Sequence, residues 1–131
     1  KGFNSKPLEA LKGKTDYMLV FENEDQINRI EPNFEEISKL KGRGVIVTAK
    51  GNNVDFVSRF FAPQSGINED PVTGSAHTTL TPYWAKTFGK DELTAIQLSE
   101  RKGYLNCKYL NDRVEISGKA KLYLIVEIFL E

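Results

Sequence analysis

One cysteine, one histidine, one tryptophan and one methionine are all that this 131-residue chain holds of those four residue types. A single thiol, Cys107, allows no internal disulfide, which fits a reducing compartment, so the expected setting is the cytoplasm. It lies in a strand-like run without a neighbouring histidine and reads as a buried thiol, not a nucleophile. With one histidine and one cysteine, the usual ligands of a zinc cluster are missing, and no metal is expected. Charge of one sign is missing too, since 18 basic side chains balance 18 acidic ones. The lysines are scattered, and without a basic excess or patch no nucleic-acid partner is expected. No apolar run nears the ~20 residues of a membrane-spanning helix. The opening Lys1-Gly2-Phe3-Asn4-Ser5 lacks the apolar core of a signal peptide, so no membrane partner is expected either. Repeats, low-complexity tracts and internal linkers are absent, and residues 1–131 read as one domain with room for a real core.

What is present alternates between helix and strand signals. Residues 5–13 read as a short helix, with Pro7 in its first turn and Gly13 at its end. Residues 17–22 read as a strand, Asn23-Glu24-Asp25 as a turn, and residues 26–30 as a short return strand. Asn33 caps a helix whose capping-box partner is Glu36 and whose buried stripe is Phe34, Ile37 and Leu40. Residues 45–49 form a nearly unbroken β-branched run, as a covered strand would, and Gly51-Asn52-Asn53 turns it back. In the returning strand, residues 54–61, Val54, Phe56, Ser58 and Phe60 share one face, and Asp55, Val57, Arg59 and Phe61 the other. Both faces carry apolar groups, so this strand is expected to be central, with Arg59 in a structural role. Residues 94–99, 104–110, 113–117 and 120–130 read as further strands joined by tight turns, the last being the longest. The order implies an α+β fold in which a curved, mainly antiparallel sheet wraps one central helix over residues 75–88.

That helix follows the most unusual stretch of the chain, Asn68-Glu69-Asp70-Pro71-Val72-Thr73-Gly74-Ser75-Ala76-His77. Asp70 or Thr73 can cap it, and Pro71 suits a first-turn position because its missing N–H would have no partner there. Ala76, Leu80, Tyr83, Trp84 and Phe88 recur at helical spacing and are expected to face the core. Pro82 is expected to kink the helix, Gly89 to stop it, and the neighbouring sheet to cover most of its sides. Free amides and the helix dipole at residues 73–76 favour an anion, so a carboxylate or phosphate ligand is expected there.

The string from Glu69 to His77, with Phe60-Phe61-Ala62-Pro63 before it and Leu80-Thr81-Pro82-Tyr83-Trp84 after it, closely resembles the PhzF-like (phenazine-biosynthesis-like) isomerase family. Gly44-Val45-Ile46-Val47-Thr48-Ala49, Leu93-Thr94-Ala95-Ile96-Gln97-Leu98-Ser99 and Val114-Glu115-Ile116-Ser117-Gly118-Lys119-Ala120 continue the resemblance over nearly the whole chain. It implies a diaminopimelate-epimerase-like fold of two similar halves, of which this chain would be the second, C-terminal one. It also implies proton movement on carbon without metal or organic cofactor. Asp70 and Ser75 match positions that line the proton-transfer site, while Thr73 and Gly74 match the turn whose backbone holds substrate. Ala76 and His77 complete the matched string and are taken as substrate-binding. The family's main acid/base glutamate and its Gly-His-Pro-Thr-type motif belong to the first half and do not occur here. Where the family often has Arg-Gly-Gly, this chain has Arg101-Lys102-Gly103.

The resemblance therefore implies a small carboxylate-bearing substrate and the missing N-terminal half as partners, with no activity in the isolated chain. The alternative is a non-enzymatic module that binds small carboxylates or self-associates. Two-sided apolar strands at residues 54–61 and 120–130 lead to an expected homodimer. For Asp70 the structural alternative is a cap or loop brace, for Ser75 a helix cap, and for His77 packing or a hydrogen bond within the fold.

Overall fold

In the computed structural model, which describes residues 1–130, the apolar run after Arg43 becomes β3 (Gly44–Lys50) and the aromatic run after the Gly51 turn becomes β4 (Phe56–Ala62). The two pair antiparallel, with Val45 opposite Phe61 and Lys50 opposite Phe56. Successive side chains leave opposite faces of a strand, and here both faces are covered. Phe56 and Phe60 join one core cluster, and Val57 and Phe61 join another on the far side. The central position expected for this strand is met.

Around this pair lies an eight-stranded sheet. Its order is β1 (Glu9–Lys12), β2 (Asp16–Val20), β3, β4, β6 (Glu92–Gln97), β7 (Gly103–Tyr109) and β8 (Val114–Ser117), while β5 (Ile67–Glu69) pairs with β4. Most neighbours are antiparallel, but β2 with β3 and β4 with β6 run parallel. Parallel neighbours cannot be joined by a tight turn. Both crossovers carry helices, and the helices lie on opposite faces. Between β2 and β3, α1 (Glu24–Arg29) and α2 (Phe34–Ser38) lay Ile27, Ile30 and Ile37 over Val57 and Phe61. Between β5 and β6, α3 (Gly74–Phe88) buries Ala76, Leu80, Trp84 and Ala85 against Phe56, Phe60, Leu93 and Leu105. The α+β architecture and the curved sheet around α3 are as expected. On the other face Asn33 caps α2 as expected, accepting from the Glu36 amide (3.2 Å), and α1 beside it goes beyond that expectation.

Four expectations need correcting. The stretch read as a helix over residues 5–13 is edge strand β1. Its Glu, Ala, Leu and Lys favour helix, but β2 offers the backbone groups on one side of this stretch a ladder, and Gly13 donates to the Asp16 carbonyl (2.8 Å) to close a hairpin. The stretch read as a return strand over residues 26–30 is α1. Asn23 caps it by accepting from the Gln26 amide (2.9 Å), and the Gln26 side chain reaches back to the Glu22 amide (2.9 Å). The expected longest strand over residues 120–130 has no ladder partner among the described residues, and its apolar side chains stand exposed, from 66% at Val126 to 97% at Tyr123. Finally, Leu40 does not join the buried stripe of the helix capped by Asn33: α2 ends at Ser38, and Leu40 beyond it is 40% exposed.

Two side chains singled out in the sequence, a half-buried arginine and a buried thiol, are explained by their neighbours. Arg59, as expected, is structural: it pairs with both oxygens of Glu69 (2.8 and 2.9 Å) and donates to the carbonyls of Ile27 and Ile30, tying β4 to α1 and β5. Cys107 is the buried thiol expected, and burial pushes its pKa up.

Candidate functional site

After β5 the chain turns through Asp70, Pro71 and Val72 and enters α3 with Thr73 as its cap residue. Three side chains hold this turn by its backbone, two from the end of β6 or just beyond it and one from α3. Gln97, at the end of β6 and 0% exposed, donates from Nε2 to the Asp70 carbonyl (2.8 Å) and to Thr73 Oγ1 (3.0 Å), and its Oε1 accepts from the Thr73 amide (2.7 Å). Ser99 donates to the Pro71 carbonyl (2.7 Å). His77, one turn into α3, donates from Nδ1 to the Thr73 carbonyl (2.8 Å). The Asp70 amide itself donates to the Phe60 carbonyl (3.0 Å).

A threonine at this position ordinarily caps the helix with its hydroxyl oxygen. Thr73 does not. Its hydroxyl donates to the Asp70 carboxylate, and among the described residues no side chain accepts from the first amides of α3. Of the two expected caps, Thr73 has the position but not the bond. Pro71 precedes the cap, so it shapes the turn and not the first helical turn.

A second arm reaches the same tip from β3. A Cβ on Gly44 would lie 2.6 Å from Phe60 Cζ and 2.7 Å from the Phe61 carbonyl oxygen, so only glycine lets β3 start this close to β4. That approach sets Arg43 over the Phe60 ring, 5.3 Å from its centroid. From there Arg43 donates to Ser75 Oγ (2.7 Å) and holds the buried Asp16 carboxylate with Nε (3.0 Å) and Nη2. The bidentate bond to Asp16, and at longer range the charge of Asp70, raise the guanidinium pKa further against the pull of burial.

The tip therefore gathers a half-buried Asp70, a buried Thr73, and Gly74 and Ser75 open to solvent, with Arg43 alongside. Two of the residues expected to bind substrate turn their side chains inward. Ala76 faces the core and can offer only its amide, while His77 is 0% exposed, its ring 5.9 Å from that of Phe56. Burial lowers the imidazole pKa, the bond to Thr73 opposing that in part. With Nδ1–H on a carbonyl, the neutral ring braces the turn from below. Asp16, Arg43, Gln97 and Ser99 were not picked out from the sequence as site residues. For Gln97 and Ser99 a signal existed, since they continue the inward series Leu93, Ala95 with polar groups, and a polar residue on a core-facing position is informative. Asp16 and Arg43 carry no such local mark.

Residues 3–124 match the family model for phenazine biosynthesis-like proteins. The chain belongs to that family. Over 116 residues it is 52% identical to an uncharacterized isomerase of Pseudomonas aeruginosa, covering 88% of this chain and 44% of that protein. Over 131 residues it is 40% identical to an uncharacterized isomerase of Halalkalibacterium halodurans, covering 98% of this chain and 49% of that one. A crystal structure of a PhzF-family protein from Enterococcus faecalis superimposes with a TM-score of 0.90 at 45% identity, covering 98% of this chain and 50% of that one. The chain thus spans about half the length of these family members. Among the described residues no helix is long and apolar enough to cross a membrane.

Proposed function

We propose that the chain forms the second half of a cofactor-independent isomerase that moves a proton between carbons of a small carboxylic acid. One observation carries the reading. In a family whose relatives are named isomerases, Asp70 and Ser75 meet at an uncapped, solvent-open helix tip beside Arg43. The substrate carboxylate sits against the amides of Gly74, Ser75 and Ala76, where free N–H groups and the helix dipole favour negative charge. Ser75 receives the Arg43 hydrogen bond on its oxygen, which leaves its own proton to donate to substrate. Asp70, a carboxylate with the Thr73 hydroxyl on one oxygen, relays the proton. The glutamate that acts as main acid and base comes from the other half, and closure of that half over the tip excludes water from the proton transfer.

On this reading the isolated chain is inactive. The bare apolar run at residues 122–130 supports docking on the other half, and in its absence a homodimer of two such chains. A cytoplasmic setting fits the single buried thiol.

Exchange of carbon-bound hydrogen tests the reading. Small carboxylic acids with an acidic C–H are incubated in heavy water with this chain alone and with a longer protein that carries it as its second half, and proton NMR follows the C–H signal. Exchange is expected for at least one acid with the longer protein and for none with the chain alone. Asp70→Asn is expected to slow it by about 100-fold or more. Exchange that survives Asp70→Asn undiminished would take Asp70 out of the mechanism.

A further inference from the structure

We infer that Gln97 is the positioning residue of this site: it keeps the Thr73 hydroxyl on Asp70 and off the amides of α3. The inference rests on the reading above for its purpose, but its geometry stands alone. Gln97 is 0% exposed and lies on a strand, away from the turn in sequence, yet its carboxamide goes entirely to the turn. Its orientation has no freedom. The Asp70 carbonyl can only accept, so Nε2 faces it, and the Thr73 amide can only donate, so Oε1 faces that. The remaining Nε2 proton then meets Thr73 Oγ1 at 3.0 Å. With a proton arriving from Gln97, the hydroxyl sends its own to Asp70.

This polarity has a consequence for the helix. A threonine in the cap position satisfies an orphan amide unless its oxygen is held elsewhere. Here it is held twice, as acceptor from Gln97 and as donor to Asp70, and α3 has no side-chain cap. A buried amide on a neighbouring strand thus suppresses the helix's own cap. Ser99 and His77 support the same turn through the Pro71 and Thr73 carbonyls but touch neither Thr73 Oγ1 nor Asp70 Oδ2. Gln97 alone of the three controls where the hydroxyl points.

The test uses the full chain with Gln97→Met, and with Gln97→Glu as a second variant that keeps the acceptor and the size but loses both donors. The Thr73 χ1 angle is read from NMR couplings, and binding of benzoate, the probe, from the amide shifts of Gly74, Ser75 and Ala76. In both variants Thr73 is expected to rotate and cap the helix. Because such a cap competes for the amides, benzoate binding is expected to weaken about fivefold. Adding Thr73→Val, which has no hydroxyl to offer, is expected to restore the benzoate affinity, a rescue that mere loosening of the turn would not give. If Thr73 keeps its χ1 in both variants, the inference is overturned whatever benzoate does. If Thr73 rotates but benzoate does not bind the wild-type chain, the positioning role holds and the carboxylate site falls.

Discussion

Two apolar runs in this chain have the same kind of sequence and opposite fates. Val45-Ile46-Val47-Thr48-Ala49 is buried at every position as β3, with β2 and β4 on its edges and helices on both faces. Leu122-Tyr123-Leu124-Ile125-Val126 is just as rich in strand-forming, apolar residues, yet among the described residues it has no strand partner and it is exposed throughout. Propensity and pattern say what a segment will be when covered. They do not say what covers it. For β3 the cover lies within the same chain. For the terminal run it does not, and a run apolar on both sides is the kind that belongs inside a sheet between two layers.

The largest expected effect comes from stripping one layer from β3 and so moving it towards the condition of the terminal run. Trp84 is the centre of that layer. It stacks on Phe56 at 6.0 Å and on Phe88 at 5.3 Å, and its Nε1 donates to Thr48 Oγ1 on β3 at 3.0 Å. Trp84→Ala leaves a cavity and deprives Thr48 of a donor. It is expected to cost about 3–5 kcal/mol in urea-induced unfolding. A loss under about 1 kcal/mol would mean that α3 is not what holds the central strands.

A smaller effect is expected from pH, again inside the covered region. Folding takes the His77 imidazole from its ordinary 6.5 to a lower pKa, because its uncharged form alone suits a core beside Phe56. The sign follows. The stability this group confers is fully present above 6.5 and is lost as pH falls through that value, where the unfolded chain takes up a proton that the folded chain refuses. Urea unfolding should show the wild-type chain losing up to about 1.4 kcal/mol per pH unit in that window, beyond the contribution of the carboxylates. His77→Gln should flatten the profile. An unchanged slope in the variant would place the titrating group elsewhere.

Legibility followed the same division between covered and uncovered. The faces of β4 could be read from Phe56, Phe60, Val57 and Phe61 because each pair alternates and each is buried by its own chain. The start of α3 and the cluster of Asp70, Thr73, Gly74 and Ser75 were legible because one continuous string carries them. What failed was decided at a distance. The helix propensity of residues 9–12 yielded to the open edge of β2, and the role of Thr73 was settled by Gln97, 24 positions along the chain. The bridge from Arg43 to Ser75 spans 32 positions and depends on Gly44 admitting a close approach that no local pattern announces. His77 sits in the matched string, but the helix turns it to the core side, so adjacency in sequence put it among contacts that its side chain does not make.

The smallest expected effect on stability is also the sharpest test of the contrast between the two runs. Ile125 and Phe129 are 79% and 84% exposed, so aspartate at both removes no packing from the folded body. The double variant Ile125→Asp/Phe129→Asp is expected to unfold within about 0.5 kcal/mol of the wild type. It differs where the run meets a partner. Sedimentation of the wild-type chain at rising concentration is expected to show self-association through the bare run, and the double variant is expected to remain monomeric, since two charges on a β-prone segment oppose edge-to-edge pairing. If the variant lost several kcal/mol instead, the run would be packed on its own chain in solution, and the distinction between a strand with its cover and a strand without one would disappear.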